Sequence, residues 1–323
     1  KSPLDGYAVI AKSLEGVSKE NPRILKVIDK VFAGEVSCKK VGDGEAIRIM
    51  TGAKIPKGAD CIVKQEDTEA LNENEVRIFV SHKAYDNFIY QGEDFKRGIK
   101  IINKDKFLAS SIITAIASLG ISKVKVYKKP IVGIITTGDE LQEPGEELKE
   151  GKIFNSNKAF LYTRLLELGA EPRIFDIAKD SIEGIVSVVE KAEKECQIII
   201  STGGVSVGEK DLVLRAVESI GYRRLFWKIS MKPGSPMFSA VKNGVIYIGL
   251  SGTPVAAATT FELTARRVIA KMLNCKDIDI RKVEGILQDE FKKKSPKRRF
   301  LRVRVSEDLE NKVYINNIYQ SPG

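Results

Sequence analysis

Histidine is almost absent from this chain: among 323 residues only His82 is one. A metal held by a pair of histidines is therefore excluded within a single chain. A Ser-His-Asp triad would have to recruit His82, which lies in a β-rich stretch far from every glycine-rich loop described below; it reads as a surface or strand residue. Cysteine is scarce too. Cys38, Cys61, Cys196 and Cys275 are scattered without a Cys-x-x-Cys pair, so neither a zinc knuckle nor a disulfide framework is expected. No apolar run is long enough to cross a bilayer, and no secretory leader precedes Asp5, so no membrane partner and a cytoplasmic location are the expectations. Internal repeats and low-complexity tracts are missing as well. Any chemistry must come from carboxylates, lysines, backbone donors and a bound metal.

Positive charge is abundant. The net charge is +10, and its densest run is Lys292-Lys-Lys-Ser-Pro-Lys-Arg-Arg299, followed by Phe300, Arg302 and Arg304. Such a run can grip a nucleic-acid backbone. Charge elsewhere is mixed, however, and the run sits where an α/β segment hands over to a strand, so a solvated linker is the expected reading and nucleic acid is not an expected partner. The general positive field suits small anions.

The most informative stretch is Ile198-Ile-Ile-Ser-Thr-Gly-Gly-Val-Ser-Val-Gly-Glu-Lys-Asp211. A buried strand empties into a glycine-rich turn, and a carboxylate opens a helix over Leu212–Ile220. That order presents backbone N–H groups to an anion. A carboxylate beside a phosphate requires an intervening cation or proton, so a phosphorylated ligand with a divalent metal is indicated. The spacing Gly203-x-x-x-x-Gly208 approaches a P-loop, but Glu209-Lys210-Asp211 replaces the Gly-Lys-Ser/Thr that would hold magnesium, which rules out a Walker-type nucleotidase.

Three more apolar strands end in polar turns: Ile131–Ile135 before Thr136-Thr-Gly-Asp-Glu140, Arg173–Ala178 before Lys179-Asp180-Ser181, and Val245–Ile248 before Gly249-Leu-Ser-Gly-Thr-Pro254. Helical patterns follow at Asn157–Leu168, Ile182–Cys196 and Val255–Leu273, with Asn157 and Ser181 as N-caps, Gly169 as a C-cap and Pro254 in a first turn. Alternation of this kind predicts an α/β, doubly wound, mainly parallel sheet within a multidomain chain that has additional β-rich domains. Ligands bind beyond the carboxyl ends of such strands, where Asp139, Glu140, Asp180 and Asp211 all fall. Single acids there can equally be solvated turn residues; four at equivalent strand ends suggest more. The organisation predicted is a β-rich segment over 1–95, a helical connector over 96–128 containing Leu108–Gly120, the α/β domain over 129–275, and an incomplete β domain over 276–323 with strands at Phe300–Val305 and Lys312–Ile318.

Several motifs carry a resemblance. Thr137-Gly-Asp-Glu-Leu141, Ser201-Thr-Gly-Gly-Val-Ser-Val-Gly208, Phe226-Trp-Lys-Ile-Ser-Met-Lys-Pro-Gly234 and Gly249-Leu-Ser-Gly-Thr-Pro254 resemble the molybdopterin molybdenumtransferases, relatives of the gephyrin E domain. Upstream, Ser2-Pro-Leu-Asp-Gly-Tyr-Ala8, Arg48-Ile-Met-Thr-Gly-Ala53 with Ile55-Pro56, and Gly92-Glu-Asp-Phe95 match, as does Arg298-Arg-Phe-Leu-Arg302 downstream. In the family's pattern a helical segment precedes Asp-Gly-Tyr-Ala, and the C-terminal domain continues beyond Gln320-Ser-Pro-Gly323.

The resemblance implies a transferase that inserts molybdate into adenylylated molybdopterin, releasing AMP. It implies that Asp139, Asp180 and Asp211 bind Mg²⁺, with Glu140 beside them as an orienting or turn-capping acid. Lys228 and Lys232 would bind oxyanion or phosphate. Thr137, Gly138, Gly203, Gly204, Ser206, Gly234, Ser235, Gly252, Thr253 and Pro254 would line the pterin-nucleotide site. Asp5, Thr51 and Asp94 match functional positions in a family whose cleft forms between the α/β domain of one subunit and the β-domain of the other, which implies a homodimer; Asp5 and Asp94 adjoin glycines and can also simply hold turns. Ser251 stands where the family commonly has proline and Thr253 where it has asparagine, which leaves molybdate against tungstate open. A non-catalytic pterin-binding scaffold is the alternative from another class, opposed by Asp211, Lys228 and Lys232. An adenylyltransferase would need only the α/β domain.

Overall fold

A computed structural model describes residues 1–145, 147–205, 212–290, 294–310 and 312–317. Contacts divide the chain into two units, Lys1–Lys100 and Ile101–Gly323.

In the first unit β1 (Gly6–Val9), β2 (Arg23–Val31), β3 (Glu45–Ile49), β4 (Cys61–Lys64), β5 (Thr68–Asn72) and β6 (Glu75–Ile78) form one six-stranded sheet in the order β4-β1-β3-β2-β6-β5. The sheet is mixed: β2 runs parallel to β3 and antiparallel to β6. Side chains alternate across it, so consecutive residues feed opposite cores. Tyr7, Val9, Leu25 and Val63 bury on one face, and Ala8, Ile47, Ile49 and Ile62 on the other. Each such aliphatic side chain contributes about 1.5–3 kcal/mol when fully buried.

The second unit begins with α1 (Ser110–Ser118), continues through β7 (Ile131–Thr136), the short strands β8 (Leu141–Gln142) and β9 (Ile153–Phe154), and α2 (Ser156–Glu167). Then come β10 (Glu171–Ile174), α3 (Ile182–Ala192), β11 (Ile198–Thr202), α4 (Leu212–Ser219), β12 (Arg223–Trp227), β13 (Met231–Lys232), β14 (Phe238–Lys242) and β15 (Val245–Leu250). After β15, α5 (Pro254–Thr260) passes through a π-helical turn at Phe261–Ala265 into α6 (Arg266–Met272). The remaining described strands are β16 (Ile286–Leu287), β17 (Arg298–Arg299), β18 (Val303–Glu307) and β19 (Val313–Asn317).

The main sheet has the order β10-β7-β11-β15-β14-β12. Its first four strands are parallel, and β14 and β12 add an antiparallel edge. Helices cover both faces. Ile185 and Val189 of α3 and Val213 and Val217 of α4 pack with Ile135, Ile199 and Tyr247 on one side. Leu161 and Leu165 of α2, together with Phe261 and Ile269, pack with Ile134, Ile200 and Ile248 on the other. This is the doubly wound α/β fold that the strand–helix alternation predicts. The winding reverses at β7, which lies between β10 and β11, so the topological switch point falls beyond the ends of β7 and β11.

Local chemistry sets the element ends. Ser181 caps α3, its hydroxyl accepting from the Gly184 N–H at 3.1 Å. Gly169 follows α2 in the left-handed region at φ 79°. One expectation is corrected: the cap of α2 is Asn155, whose side chain accepts from the Lys158 N–H, and Asn157 lies inside the helix with a different task. The C-terminal helical stretch also departs from a uniform helix, because the π turn at Phe261–Ala265 divides it.

Candidate active site at the strand ends

Thr137 links the three strands around the switch point. Its N–H donates to the Thr202 carbonyl at 2.9 Å, and it pairs in parallel register with Ala178, whose N–H reaches the Thr136 carbonyl at 2.9 Å. Asp139 and Asp180 each stand two residues beyond that Thr137–Ala178 bridge, so the two acid-bearing loops leave the sheet side by side. The next strand joins in. Gly203 N–H donates to the Leu250 carbonyl at 3.2 Å, which ties the end of β11 to the end of β15.

Glycine at 203 is a steric requirement. Its φ is 92°, and a Cβ there would lie 2.3 Å from the Thr137 carbonyl oxygen; at Gly204, φ 63°, one would lie 2.5 Å from Val213 Cγ2. The loop thus presses onto its neighbour strand and onto α4. Buried asparagines fix the other walls. Asn155, 1% exposed, donates to Thr136 Oγ1 at 2.9 Å, and Asn157 donates to the Gly252 carbonyl at 2.7 Å, pinning the Gly252-Thr253-Pro254 turn to α2. These positioning roles are signalled in the sequence only by the run Phe154-Asn-Ser-Asn157. Lys152 donates to the Asp139 carbonyl, and Lys158 pairs with Glu143. Glu140 is exposed, and its carboxylate crowds the space where a Gly138 Cβ would stand, at 2.5 Å. Thr253 precedes α5 without a side-chain capping bond, and Pro254 opens the helix.

The hairpin between β12 and β14 carries the lysines. Lys228 is left-handed at φ 64°, donates its N–H to the Met237 carbonyl at 2.7 Å and rests its ammonium 4.0 Å from the Trp227 ring centroid. Lys232 is exposed on β13. Gly234, φ 91°, packs against α5, where a Cβ would meet Thr260 Cγ2 at 2.4 Å. Ser235 Oγ donates to the Ile229 carbonyl at 2.9 Å and lies 3.1 Å from Lys297 Nζ.

Here the structure corrects one part of the solvated-linker reading: Lys294, Lys297 and Arg298 are exposed, but the end of the run is paired rather than free. Arg298 and Arg299 form β17, paired in parallel with Met231 and Lys232, and the Phe300 N–H donates to the Lys232 carbonyl at 2.9 Å. Composition indicated solvent because charge says nothing of backbone pairing. The docked strand places Lys297, Arg298 and Arg299 beside the lysine hairpin. Residues 291–293 lie outside the described residues.

Ser206 and Asp211, expected in the site, also lie outside the described residues. Among the described residues no three His, Cys, Asp or Glu side chains converge as metal ligands. Magnesium does not need three: it uses one or two carboxylates and completes its octahedron with waters and substrate phosphates. Two neighbouring acid loops of hard oxygen donors, Asp139 and Asp180, therefore fit that ion.

Asp5, Thr51 and Asp94 belong to the first unit. The Thr51 N–H and hydroxyl both donate to Asp5 Oδ1, each at 2.7 Å. These bonds, the backbone one foremost, hold the Asp5 carboxyl below its ordinary range. Backbone bonds from Ser2 to Ala53 at 3.0 Å and between Lys1 and Ile89 at 2.9 Å tie the segment before Asp5 to the turn after Thr51 and to the stretch that precedes exposed Asp94. Of the two readings of His82, the strand one fails. Its side chain, 19% exposed, sits in the loop after β6 with Nδ1 3.3 Å from Asp86 Oδ2.

A β-rich unit together with a doubly wound α/β unit, whose switch point bears paired acids and glycine turns, defines a class of protein with a candidate ligand site beyond its strand ends. Comparison with known proteins narrows this. Residues 1–120 match the model of the MoeA N-terminal region (domain I and II), and residues 133–271 that of a probable molybdopterin binding domain. The molybdopterin molybdenumtransferase of Staphylococcus epidermidis is 37% identical over 306 residues, 95% of this chain and 73% of the relative. That of Bacillus subtilis is 38% identical over 309 residues, 94% and 72% respectively. Among solved structures, the molybdopterin biosynthesis protein MoeA of Pyrococcus horikoshii aligns with a TM-score of 0.78 at 31% identity, covering 100% of this chain and 78% of its own. The chain belongs to the molybdopterin molybdenumtransferase family.

Proposed function

We propose that the protein is a molybdopterin molybdenumtransferase in molybdenum cofactor biosynthesis: it takes adenylylated molybdopterin and molybdate and yields the molybdenum cofactor and AMP. The observation that carries this reading is the Thr137–Ala178 bridge at the switch point, which sends Asp139 and Asp180 out side by side next to the Gly203-Gly204 turn. The family membership supplies the substrate class.

Releasing AMP concentrates charge on the departing phosphate, so the site needs positive charge and oriented donors. Mg²⁺, when bound, would offset that charge. Asp139 and Asp180 would hold it, with Asp211 completing the expected set. Thr137, Gly138, Gly203, Gly204 and Gly252 allow close backbone approach to the pterin nucleotide, Thr253 and Pro254 form a second turn facing it, and Ser206 remains an expected hydroxyl donor. Glu140 orients the Gly138 turn. Lys228 and Lys232 hold the oxyanion as fixed charges, with Gly234 and Ser235 shaping the hairpin that presents them. The family relation leaves the choice between molybdate and tungstate to experiment.

Asp5, Thr51 and Asp94 serve as a second set of site residues, brought to the strand ends of a partner in a homodimer. Among the described residues no helix is long and apolar enough to cross a membrane, in keeping with a cytoplasmic enzyme acting on small molecules.

The test is molybdate-dependent AMP release from adenylylated molybdopterin with and without Mg²⁺. Asp139→Asn and Lys232→Ala are each expected to reduce release at least about 100-fold, the loss typical of removing one group that meets transition-state charge. Release that persists in both variants would sink the site. Mixed dimers of Asp5→Ala and Asp139→Asn chains should regain activity if each site draws on two subunits.

A further inference from the structure

The first unit carries an aromatic cluster outside the roles assigned above. Tyr85, Phe88 and Tyr90 stand with ring centroids 6.0, 6.4 and 6.3 Å apart, pair by pair. Phe88 packs against the core around Ile47 and Ile62, yet Tyr85 and Tyr90 are 59% and 53% exposed. The backbone that displays them is unusual. Tyr85 has φ 74° and Asn87 φ 59°, a left-handed conformation that a bulky side chain adopts only when its surroundings enforce it. The surroundings do enforce it. Tyr85 N–H donates to the Asp60 carbonyl at 2.5 Å, Asn87 Nδ2 donates to the Ile62 carbonyl at 2.8 Å, and Ile89 exchanges two backbone bonds with Lys1. The loop is bonded at both ends and seats Phe88 on the core, while it holds the Tyr85 and Tyr90 rings, tilted 43° to each other, largely in solvent as two fixed aromatic faces.

These faces have acids beside them. Tyr90 N–H donates to Glu93 Oε2 at 2.8 Å, which folds the Glu93 carboxylate back toward the Tyr90 backbone, and Asp94 follows. Lys1, paired with Ile89, leads directly into Asp5 and its Thr51 partner. At the Tyr90 end of this face Glu93 places a carboxylate, a group that only accepts hydrogen bonds. A 2-amino-4-oxopyrimidine edge, the edge of a pterin, offers two neighbouring N–H donors that one carboxylate takes together. Adenine offers a donor beside a lone pair, and the lone pair would face an anionic oxygen.

We propose that Tyr85 and Tyr90 form the stacking face for the pterin ring of the substrate, with Glu93 accepting its amino edge. The assignment rests on the molybdopterin reading above and extends it to a recognition surface on the β-rich unit.

The probe is 6-hydroxymethylpterin, titrated against the full-length protein and followed by its own fluorescence anisotropy, with adenosine as competitor. Tyr85→Ala and Tyr90→Ala should each weaken binding about 5- to 150-fold, the loss usual for one aromatic–base stack, while Tyr85→Phe and Tyr90→Phe stay near the parent. Glu93→Gln should weaken it about tenfold, as a charged acceptor is replaced by a neutral one. Unchanged affinity in both alanine variants overturns the proposal, as does a parent protein that fails to bind the pterin. Competition by adenosine at equal affinity assigns the face to the nucleotide and overturns the pterin choice. AMP release by the parent enzyme, measured alongside, separates the two readings: release with no effect of the tyrosines defeats this surface alone, and absence of release defeats the transferase.

Discussion

The turns at Thr137 after β7 and at Gly203 after β11 are held by the sheet they leave, whereas the lysine hairpin continues its own β12–β14 ladder through Lys228 and Met237 and is held besides by a strand from far along the chain. At the switch point each anchor is a continuation of a ladder: Thr137 to Thr202, Ala178 to Thr136, Gly203 to Leu250. At the hairpin the outer anchors are Arg298, Arg299 and Phe300, docked on Met231 and Lys232. The first arrangement suits groups that must hold a metal and a phosphate in fixed geometry. The second leaves long, exposed cations at the antiparallel edge of the sheet. The difference teaches that the two halves of one site can carry very different stability costs.

The sharpest break of that comparison is Gly203→Ala. The new methyl would stand 2.3 Å from the Thr137 carbonyl oxygen, a backbone atom that cannot move without pulling apart the β7–β11 ladder, and φ is 92° besides. The expected cost is about 3–5 kcal/mol, by the combination of overpacking and left-handed strain. Thermal unfolding of the variant would show it as a large fall in Tm with loss of AMP release. A variant as stable as the parent would mean that the loop is not pressed on Thr137 as described.

How far each half was legible follows from the same physics. Ile198–Thr202 running into Gly203-Gly204 is readable because apolar strands and glycine turns are local signals. That Thr137 pairs with Ala178 on one side and Thr202 on the other is not, since periodicity carries no strand order. Two asparagines flank Ser156, and sequence favoured Asn157 as the cap where Asn155 performs it; caps shift by a residue or two because both sites offer the same side chain. The basic run looked solvated because lysine and arginine report on charge, while its docking depends on the backbone N–H of Phe300 and the pairing of β17. Asp5 and Thr51 were named through resemblance alone. Their two 2.7 Å bonds join residues that nothing local in the sequence connects.

Between the two extremes lies Glu262 in the π turn. It receives Arg164 Nε at 2.5 Å and Arg266 Nη1 at 2.9 Å, and so ties the helix bearing Asn157 to the helix that follows Thr253 and Pro254. Burial alone would raise its carboxyl, but the two arginines outweigh that and hold it below the ordinary value. Stability from a depressed carboxyl is present above the unfolded value near 4.5 and is lost as pH falls through the folded one. Glu262→Gln is thus expected to cost about 1–3 kcal/mol at neutral pH, with parent and variant converging as the pH falls below the unfolded value and through the lower folded one. Denaturant midpoints across that range test it, and a gap that stays constant down to acid would remove the ion pairs from the account.

The smallest stability effect, and the most selective functional one, belongs to Lys297→Ala. Its ammonium lies 3.1 Å from Ser235 Oγ in an exposed setting, so the loss should be under about 1 kcal/mol and the Tm nearly that of the parent. The hydroxyl keeps its bond to the Ile229 carbonyl, so the hairpin keeps its shape while one positive charge leaves its flank. The concentration of molybdate needed for half-maximal AMP release should then rise, by about three- to tenfold for a point charge lost near a partly solvated anion. The rise should shrink as salt is added, because screening has already removed most of what that charge supplied. If Lys297→Ala instead lowers Tm as far as Gly203→Ala does, the hairpin is welded to the sheet after all. The contrast between a rigid side of acid loops and an adjustable side of lysines would then fail at its softer half.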